Sequence, residues 1–232
     1  MTIQTYDSDV AVAEAAAHIT IDALQQAIRQ HGRAVWVLAG GTTPNIAYQI
    51  IADGYLDRVD WSQVTFVLGD ERIGPQDGPD NNWQIIEELF LQHIPDAHFL
   101  RPQSNQVAED AAADYERHLR AIERFDVTWL GMGPDGHTLS LFPDHADFNP
   151  DDSRLVVPVH NSPKPPADRI SLTLAALDRS QTTLILATGE SKRAAFQNAL
   201  QPDNQLPIAQ AARTTHAIWL TDIDKQPLTM LD

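Results

Sequence analysis

Apolar residues recur at helical spacing over residues 10–31, and the stretch stops at Gly32, a residue suited to ending a helix. The next six residues, Ala34-Val35-Trp36-Val37-Leu38-Ala39, form an unbroken apolar run that predicts a strand buried on both faces. Gly40-Gly41-Thr42-Thr43-Pro44 then opens a helix over residues 45–51, with Thr43 placed to cap it and Pro44 at its first position. The same grammar recurs: strands at 64–68, 127–130, 182–187 and 217–220, and helices at 82–92 and 105–124. A further helix is reached through Gly189-Glu190-Ser191-Lys192 and runs to Leu200. Residues 70–81 read as a long polar loop. Residues 162–168, with Pro163, Pro165 and Pro166, read as a stiff extended connector, and strand-like sequence resumes at Ile170. Strands alternating with helices predict an α/β fold of three layers around a mostly parallel central sheet. Ligands in such folds bind beyond the carboxyl ends of the strands, so the loops after the strands are where chemistry is expected.

Composition narrows the function classes. A chain of 232 residues, 43% of them hydrophobic, suits one domain spanning 1–232 with a substantial core. No basic, apolar leader opens it, and no apolar run approaches the ~18 residues needed to span a bilayer. Cysteine is absent, which removes disulfides and thiolate metal sites and fits a cytoplasmic protein. The formal net charge is −16, from 16 basic and 32 acidic side chains. Such a surface repels nucleic-acid phosphates and anionic lipid. An anionic small molecule remains admissible only if the few Arg and Lys residues converge in one pocket.

Several motifs sit at the expected strand ends. In Gly40-Gly41-Thr42 the glycines allow a ligand close to the backbone, and free amides at the helix start favour an anion; an ordinary tight turn is the alternative. Gly131-Met132-Gly133-Pro134-Asp135-Gly136 matches the dinucleotide pattern G-x-G-x-x-G, but Asp135 would set a carboxylate against pyrophosphate, and Pro143 interrupts any crossover helix. What remains is a carboxylate and an imidazole two residues apart, Asp135 and His137. An imidazole titrates near pH ~6.5 and can take a proton from water, and a carboxylate can fix its tautomer. Asp70-Glu71-Arg72 follows another strand, and Arg169, Lys192 and Arg193 supply further cations. Lys192 lies near a helix start, where the dipole disfavours a cation unless an anion joins it. Ser140 lacks a G-x-S-x-G elbow. Asp144, His145 and Asp147 find no further convergent metal ligand, so neither a metal nor a cofactor is expected.

Together these motifs resemble one family. LAGGTTP (38–44), GDERIGPQDGPDNN (69–82), FDVTWLGMGPDGHTLSLFP (125–143), SPKPPADRISLTL (162–174) and GESKRAAF (189–196) are similar, in order, to stretches of 6-phosphogluconolactonases. These belong to the larger sugar-phosphate superfamily that includes glucosamine-6-phosphate deaminases. The resemblance implies a Rossmann-like sandwich of the sugar-phosphate isomerase/deaminase type. It implies His137 as catalytic base, Asp135 as its acidic neighbour, and Arg72 as the arginine of the Asp-Glu-Arg motif. Phosphate and substrate handling falls on Gly40, Gly41, Thr42, Asp70, Asn82, Arg169 and Lys192. Thr42 replaces the family's usual serine, and Asn81 stands where serine usually precedes Asn82. Deaminase relatives carry Asp-Glu-Tyr, and an Asn-Glu-Pro sequence after the Asp-Gly-His block. Here Arg72 and Ser140-Leu141-Phe142-Pro143 occupy those places and point to the lactonase branch.

The resemblance implies hydrolysis of 6-phospho-D-glucono-1,5-lactone to 6-phosphogluconate, a step of the oxidative pentose phosphate pathway, by a monomer or small homo-oligomer. A lactone is already an activated ester, so a histidine-activated water suffices. An amino-sugar-phosphate isomerase or deaminase, and a non-catalytic sugar-phosphate sensor, are the rival expectations.

Overall fold

The computed structural model describes residues 2–76 and 78–223. In chain order, β1 (Thr2–Thr5) and α1 (Asp9–His31) precede β2 (Ala34–Leu38) and α2 (Thr42–Gly54). β3 (Val64–Leu68) is followed by the short β4 (Asp70–Arg72), α3 (Asn82–Leu89) and β5 (His98–Leu100). α4 (Ala108–Leu119) leads to β6 (Phe125–Gly131), β7 (Val156–Val159) and β8 (Arg169–Leu172). Then come α5 (Leu174–Leu177), β9 (Ser180–Ala187), α6 (Arg193–Ala199), α7 (Pro207–Thr214) and β10 (Ile218–Thr221). Seven strands form one wholly parallel sheet in the order β1-β10-β9-β6-β2-β3-β5. A separate antiparallel sheet runs β4-β8-β7. The fold is the α/β sandwich with a mostly parallel sheet that the sequence predicts.

Burial on both sides explains the unbroken apolar strands. All five residues of β2 are buried, and they alternate between two cores. Ala34, Trp36 and Leu38 face the side covered by α1, α2 and α3, where Trp36 packs among Tyr48, Phe66, Phe90 and Trp129. Val35 and Val37 face the other side, where α4, α6, α7 and the small sheet close over Phe142, Phe196 and Trp219. Truncating a ring of this kind to alanine costs about 3–5 kcal/mol. α1 is bounded as its sequence suggests: the Ser8 hydroxyl accepts from the Ala11 amide, and Gly32 takes the left-handed conformation at φ 70°.

Several boundaries differ from expectation. The polar stretch after β3 opens with a strand, because Asp70-Glu71-Arg72 pairs with Ser171-Ile170-Arg169 instead of running free. α3 stops at Leu89, and the helix expected over 105–124 is confined to Ala108–Leu119. α2 starts at Thr42, three residues before the predicted start, and no side chain caps it. Thr43 lies inside it, and its hydroxyl meets that of Thr188 at 2.6 Å. β1, β5 and β7 are short and carry no strong period, and they were not expected; nor was α7, which is amphipathic but only eight residues long. Among the described residues no helix is long and apolar enough to cross a membrane.

The topology fixes where a ligand would bind. From β2 the chain moves to β3 on one side, and later returns to place β6 on the other side of β2. The strand order therefore reverses at β2, and the loops after β2 and β6 diverge around a crevice.

Candidate active site

A cavity of about 250 Å³ opens at this crevice. It is lined by the loop after β2 (Gly40, Gly41, Thr42), by Asp70 and Arg72 of β4, and by Asn82 at the start of α3. Gly131, Met132, Gly133 and His137 come from the segment after β6, Arg169 from β8, and Lys192 from the turn after β9. Every residue expected at the site lines it except Asp135. That carboxylate stands behind the histidine.

His137 sits on the turn after β6. Its Nδ1 lies 2.5 Å from Asp135 Oδ1, and its ring packs 4.7 Å from that of Phe142. An ionised carboxylate only accepts, so Nδ1 carries the hydrogen and Nε2 keeps its lone pair. Gly133 makes this packing attainable. A Cβ at that position would lie 2.0 Å from His137 Nδ1 and 2.4 Å from Asp135 Oδ1, so any side chain would displace the pair. The His137 side chain is only 18% exposed. Burial pushes its pKa below the usual imidazole value, more than the Asp135 hydrogen bond and charge raise it, and Lys164 lowers it further. The ring is therefore neutral at neutral pH, the state a base requires. Burial acts to raise the Asp135 pKa, but the bond to His137 and the charges of His137 and Lys164 outweigh it and keep the carboxyl ionised.

The opposite wall is organised for an anion. The amino end of α2 opens into the cavity without a capping side chain, leaving backbone donors and the positive end of the dipole available. Gly40 lets Asn82 press against this loop, since a Cβ there would lie 2.1 Å from Asn82 Oδ1. Asn82 Nδ2 donates to the Asp70 carbonyl at 3.0 Å, and the Ser140 hydroxyl donates to Asp70 Oδ2 at 2.6 Å. Arg72 and Arg169 are directly opposed across β4 and β8. Like charges in that relation are destabilising unless an anion joins them. Arg72 donates through Nη1 to the Asp80 carbonyl, whereas its buried Nε finds no partner among the described residues. Lys192 stands immediately before α6, and burial holds its pKa below the ordinary lysine value despite Asp222; Lys164 lowers it further. No acidic group of the described residues forms a salt bridge with Arg72, Arg169 or Lys192, whereas Arg117, Arg120, Arg124, Arg154 and Arg193 all have one. Arg29, Arg33, Arg58, Arg179 and Arg213 likewise form no salt bridge among the described residues, but they lie elsewhere; Arg72, Arg169 and Lys192 are the cations without a carboxylate partner that converge on this cavity. This is the local convergence that a chain of charge −16 needs for an anionic ligand.

Three participants escaped the sequence reading. Glu71 is buried, and its carboxylate accepts the amides of Arg72, Asn82 and Trp83, which ties β4 to the start of α3. Burial raises its pKa, against the lowering effect of those amides. Ser140 has no nucleophile elbow but orients Asp70. Lys164, on the segment read as a plain connector, brings its Nζ to 3.2 Å from His137 Nδ1 and 3.5 Å from Asp135 Oδ1. A lysine between prolines was the available signal, because a stiff backbone holds a long side chain in place. Asn81 turns away from the cavity, donating to the Ser104 hydroxyl at 2.9 Å. Among the described residues no group of three His, Asp or Glu side chains is gathered to hold a metal ion. Asp147 instead accepts the His160 amide at 2.8 Å.

Known proteins resemble this chain in sequence and fold. Residues 7–219 match the family model described as glucosamine-6-phosphate isomerases/6-phosphogluconolactonase. The chain is 35% identical over 230 residues to a 6-phosphogluconolactonase of Streptomyces coelicolor, covering 91% of this chain and 88% of that one. It is also 35% identical over 240 residues to a 6-phosphogluconolactonase of Mycobacterium tuberculosis, covering 94% of each. The solved structure of a 6-phosphogluconolactonase from Shewanella baltica superimposes with a TM-score of 0.83 at 29% identity, covering 95% of this chain and 97% of that one. With the family model matched over residues 7–219 and these relatives 35% identical along most of its length, the chain belongs to the family of glucosamine-6-phosphate isomerases and 6-phosphogluconolactonases.

Proposed function

We propose that the chain, acting as one lactonase domain, hydrolyses 6-phospho-D-glucono-1,5-lactone to 6-phosphogluconate, with His137 as general base. One observation carries this reading: a neutral, carboxylate-oriented imidazole shares a cavity with three cations that form no salt bridge among the described residues. The phosphate docks on the amino end of α2 with Lys192 and Arg169. The ring carbonyl then lies toward His137. Nε2 takes a proton from water as the water oxygen bonds to the carbonyl carbon, and Asp135 stabilises the imidazolium. Arg72 orients the substrate or faces the developing oxyanion, which needs donors already in place. The tetrahedral intermediate collapses by breaking the bond to the ring oxygen, which receives the proton from His137. The product acid ionises, so one proton is released per turnover.

The curated relatives carry lactonase names, and Arg72 with Ser140-Leu141-Phe142-Pro143 favours the same branch over the deaminases. The test follows acid release from freshly made 6-phosphogluconolactone, with the unphosphorylated lactone as control. Catalysed release is expected to be far faster on the phosphorylated lactone than on the unphosphorylated one. Ammonia released from glucosamine 6-phosphate instead would assign the deaminase reaction, and tight binding without turnover would assign a sensor.

A further inference from the structure

The Asp135–His137 pair has a third member that the mechanism above does not use. Lys164 reaches it from a different part of the chain, and its place is built. The Arg169 guanidinium, itself buried, donates to the carbonyls of Lys164 at 3.1 Å, Pro165 at 3.0 Å and Pro166 at 3.1 Å. The Ser162 hydroxyl donates to the Lys164 carbonyl at 2.9 Å and accepts the Lys164 amide at 3.3 Å. The backbone under the lysine is therefore held from both sides. Its ammonium lies on the Nδ1 side of the imidazole, and neither Lys164 nor Asp135 lines the cavity.

The hydrogen on Nδ1 is committed to Asp135, so the ammonium cannot donate to that nitrogen. Its influence on the ring is that of a like charge on the imidazolium. We propose that Lys164 is a positioning residue acting through His137: it offsets the charge of Asp135 so that the imidazole stays unprotonated, and able to act as a base, near neutral pH. This deepens the proposed lactonase reading and rests on His137 being the base.

Competing charges set the protonation of the ring. A carboxylate at 2.5 Å fixes the tautomer but also favours the imidazolium, which would silence the base as pH falls. The charged groups facing the ring are Asp135 on its own turn, Lys164 from the 162–168 segment, and Asp70 from β4; Phe142 contributes an uncharged face. The Asp70 carboxylate is already engaged by Ser140 and Asn82. Lys164 is thus the one cation of this group, and it shares the Asp135 oxygen that holds the ring. Burial and Lys164 both act to lower the His137 pKa, in the sense the proposal needs. The arrangement has a cost, since a less basic imidazole pulls less strongly on water. Removing the charge should accordingly lose activity at low pH and lose none at high pH.

The experiment compares the wild-type chain with Lys164→Met, Lys164→Gln and Lys164→Arg. One readout is the pH profile of kcat/KM for 6-phosphogluconolactone; the other is the NMR titration of the His137 ring. Both neutral variants should move the acidic limb, and the ring titration, upward by about one pH unit. The plateau should be unchanged or higher. Lys164→Arg should restore the limb. Either neutral variant suffices if the other fails to fold. A lowered plateau with an unmoved limb and an unmoved ring titration would overturn the proposal and leave Lys164 a merely structural part. A wild-type chain without lactonase activity would sink the functional reading instead, and the ring titration would still report whether Lys164 governs His137.

Discussion

The two walls of the cavity are built on opposite principles. Around His137 the polar groups that orient the ring are answered from within the protein, leaving Nε2 open: Nδ1 by Asp135, Asp135 by Lys164, and Asp70 by Ser140 and Asn82. Across the cavity, carboxylate partners are withheld from the cations among the described residues. α2 starts without a capping side chain, Arg72 and Arg169 are opposed, and Lys192 has no salt bridge among the described residues. Saturation fixes a geometry and a protonation state before substrate arrives. Vacancy stores donors that only an anion can satisfy, at some expense to the free protein. A chain that turns over a phosphorylated neutral ring needs both, and the contrast predicts which kinetic constant each wall controls.

The largest effect should come from the saturated wall. His137→Ala is expected to lower kcat by roughly 10²–10⁴ with little change in KM, measured by acid release at saturating substrate. A rise in KM at constant kcat would place His137 among the binding groups and erase the distinction. Asp135→Asn removes a charge-assisted bond and should lower the kcat plateau by about 10–100-fold. Because Asp135 raises the affinity of His137 for protons, that variant should also move the acidic limb downward, the reverse of the shift expected when Lys164 is neutralised. In the wild type, the neutral ring is the active form and its pKa lies below the usual imidazole value. Activity should therefore be held from neutral pH down past about pH 6.5 and be lost only below it. A limb lying above that value would contradict the charge balance. A smaller effect tests the scaffold under the open wall. Thr43→Val breaks the buried hydroxyl pair with Thr188 and should cost about 0.5–1.5 kcal/mol of stability in denaturant titration, with kcat unchanged.

The fold was legible where burial is strongest. The inner strands β2, β3 and β9 are buried on both faces for most of their length, so their apolar runs announce them without ambiguity. β1 and β5 lie at the sheet edges, where half the surface is wet, and their short mixed sequences carry no such mark. β4 was misread for a physical reason: three consecutive charged residues resemble a solvated loop, and only their pairing with β8 makes them a strand. The cavity residues were found through their place after strand ends, together with family-like order. Thr43 and Lys164 were missed in their roles because these depend on distant partners, Thr188 in one case and the Asp135–His137 pair in the other. A side chain whose role is conferred by a residue far along the chain leaves little local trace. Arg169 shows a mixture: it was expected as a phosphate ligand, and it lines the cavity while spending most of its donors on the segment that carries Lys164.

The division of labour is tested most directly by Lys192→Met, assayed on phosphorylated and unphosphorylated gluconolactone side by side. The account predicts that kcat/KM for the phosphorylated lactone falls about 10–100-fold through KM, while the slow turnover of the unphosphorylated lactone is unaltered. An equal loss on both lactones would show that Lys192 serves the reacting centre, and that the two walls are not separate.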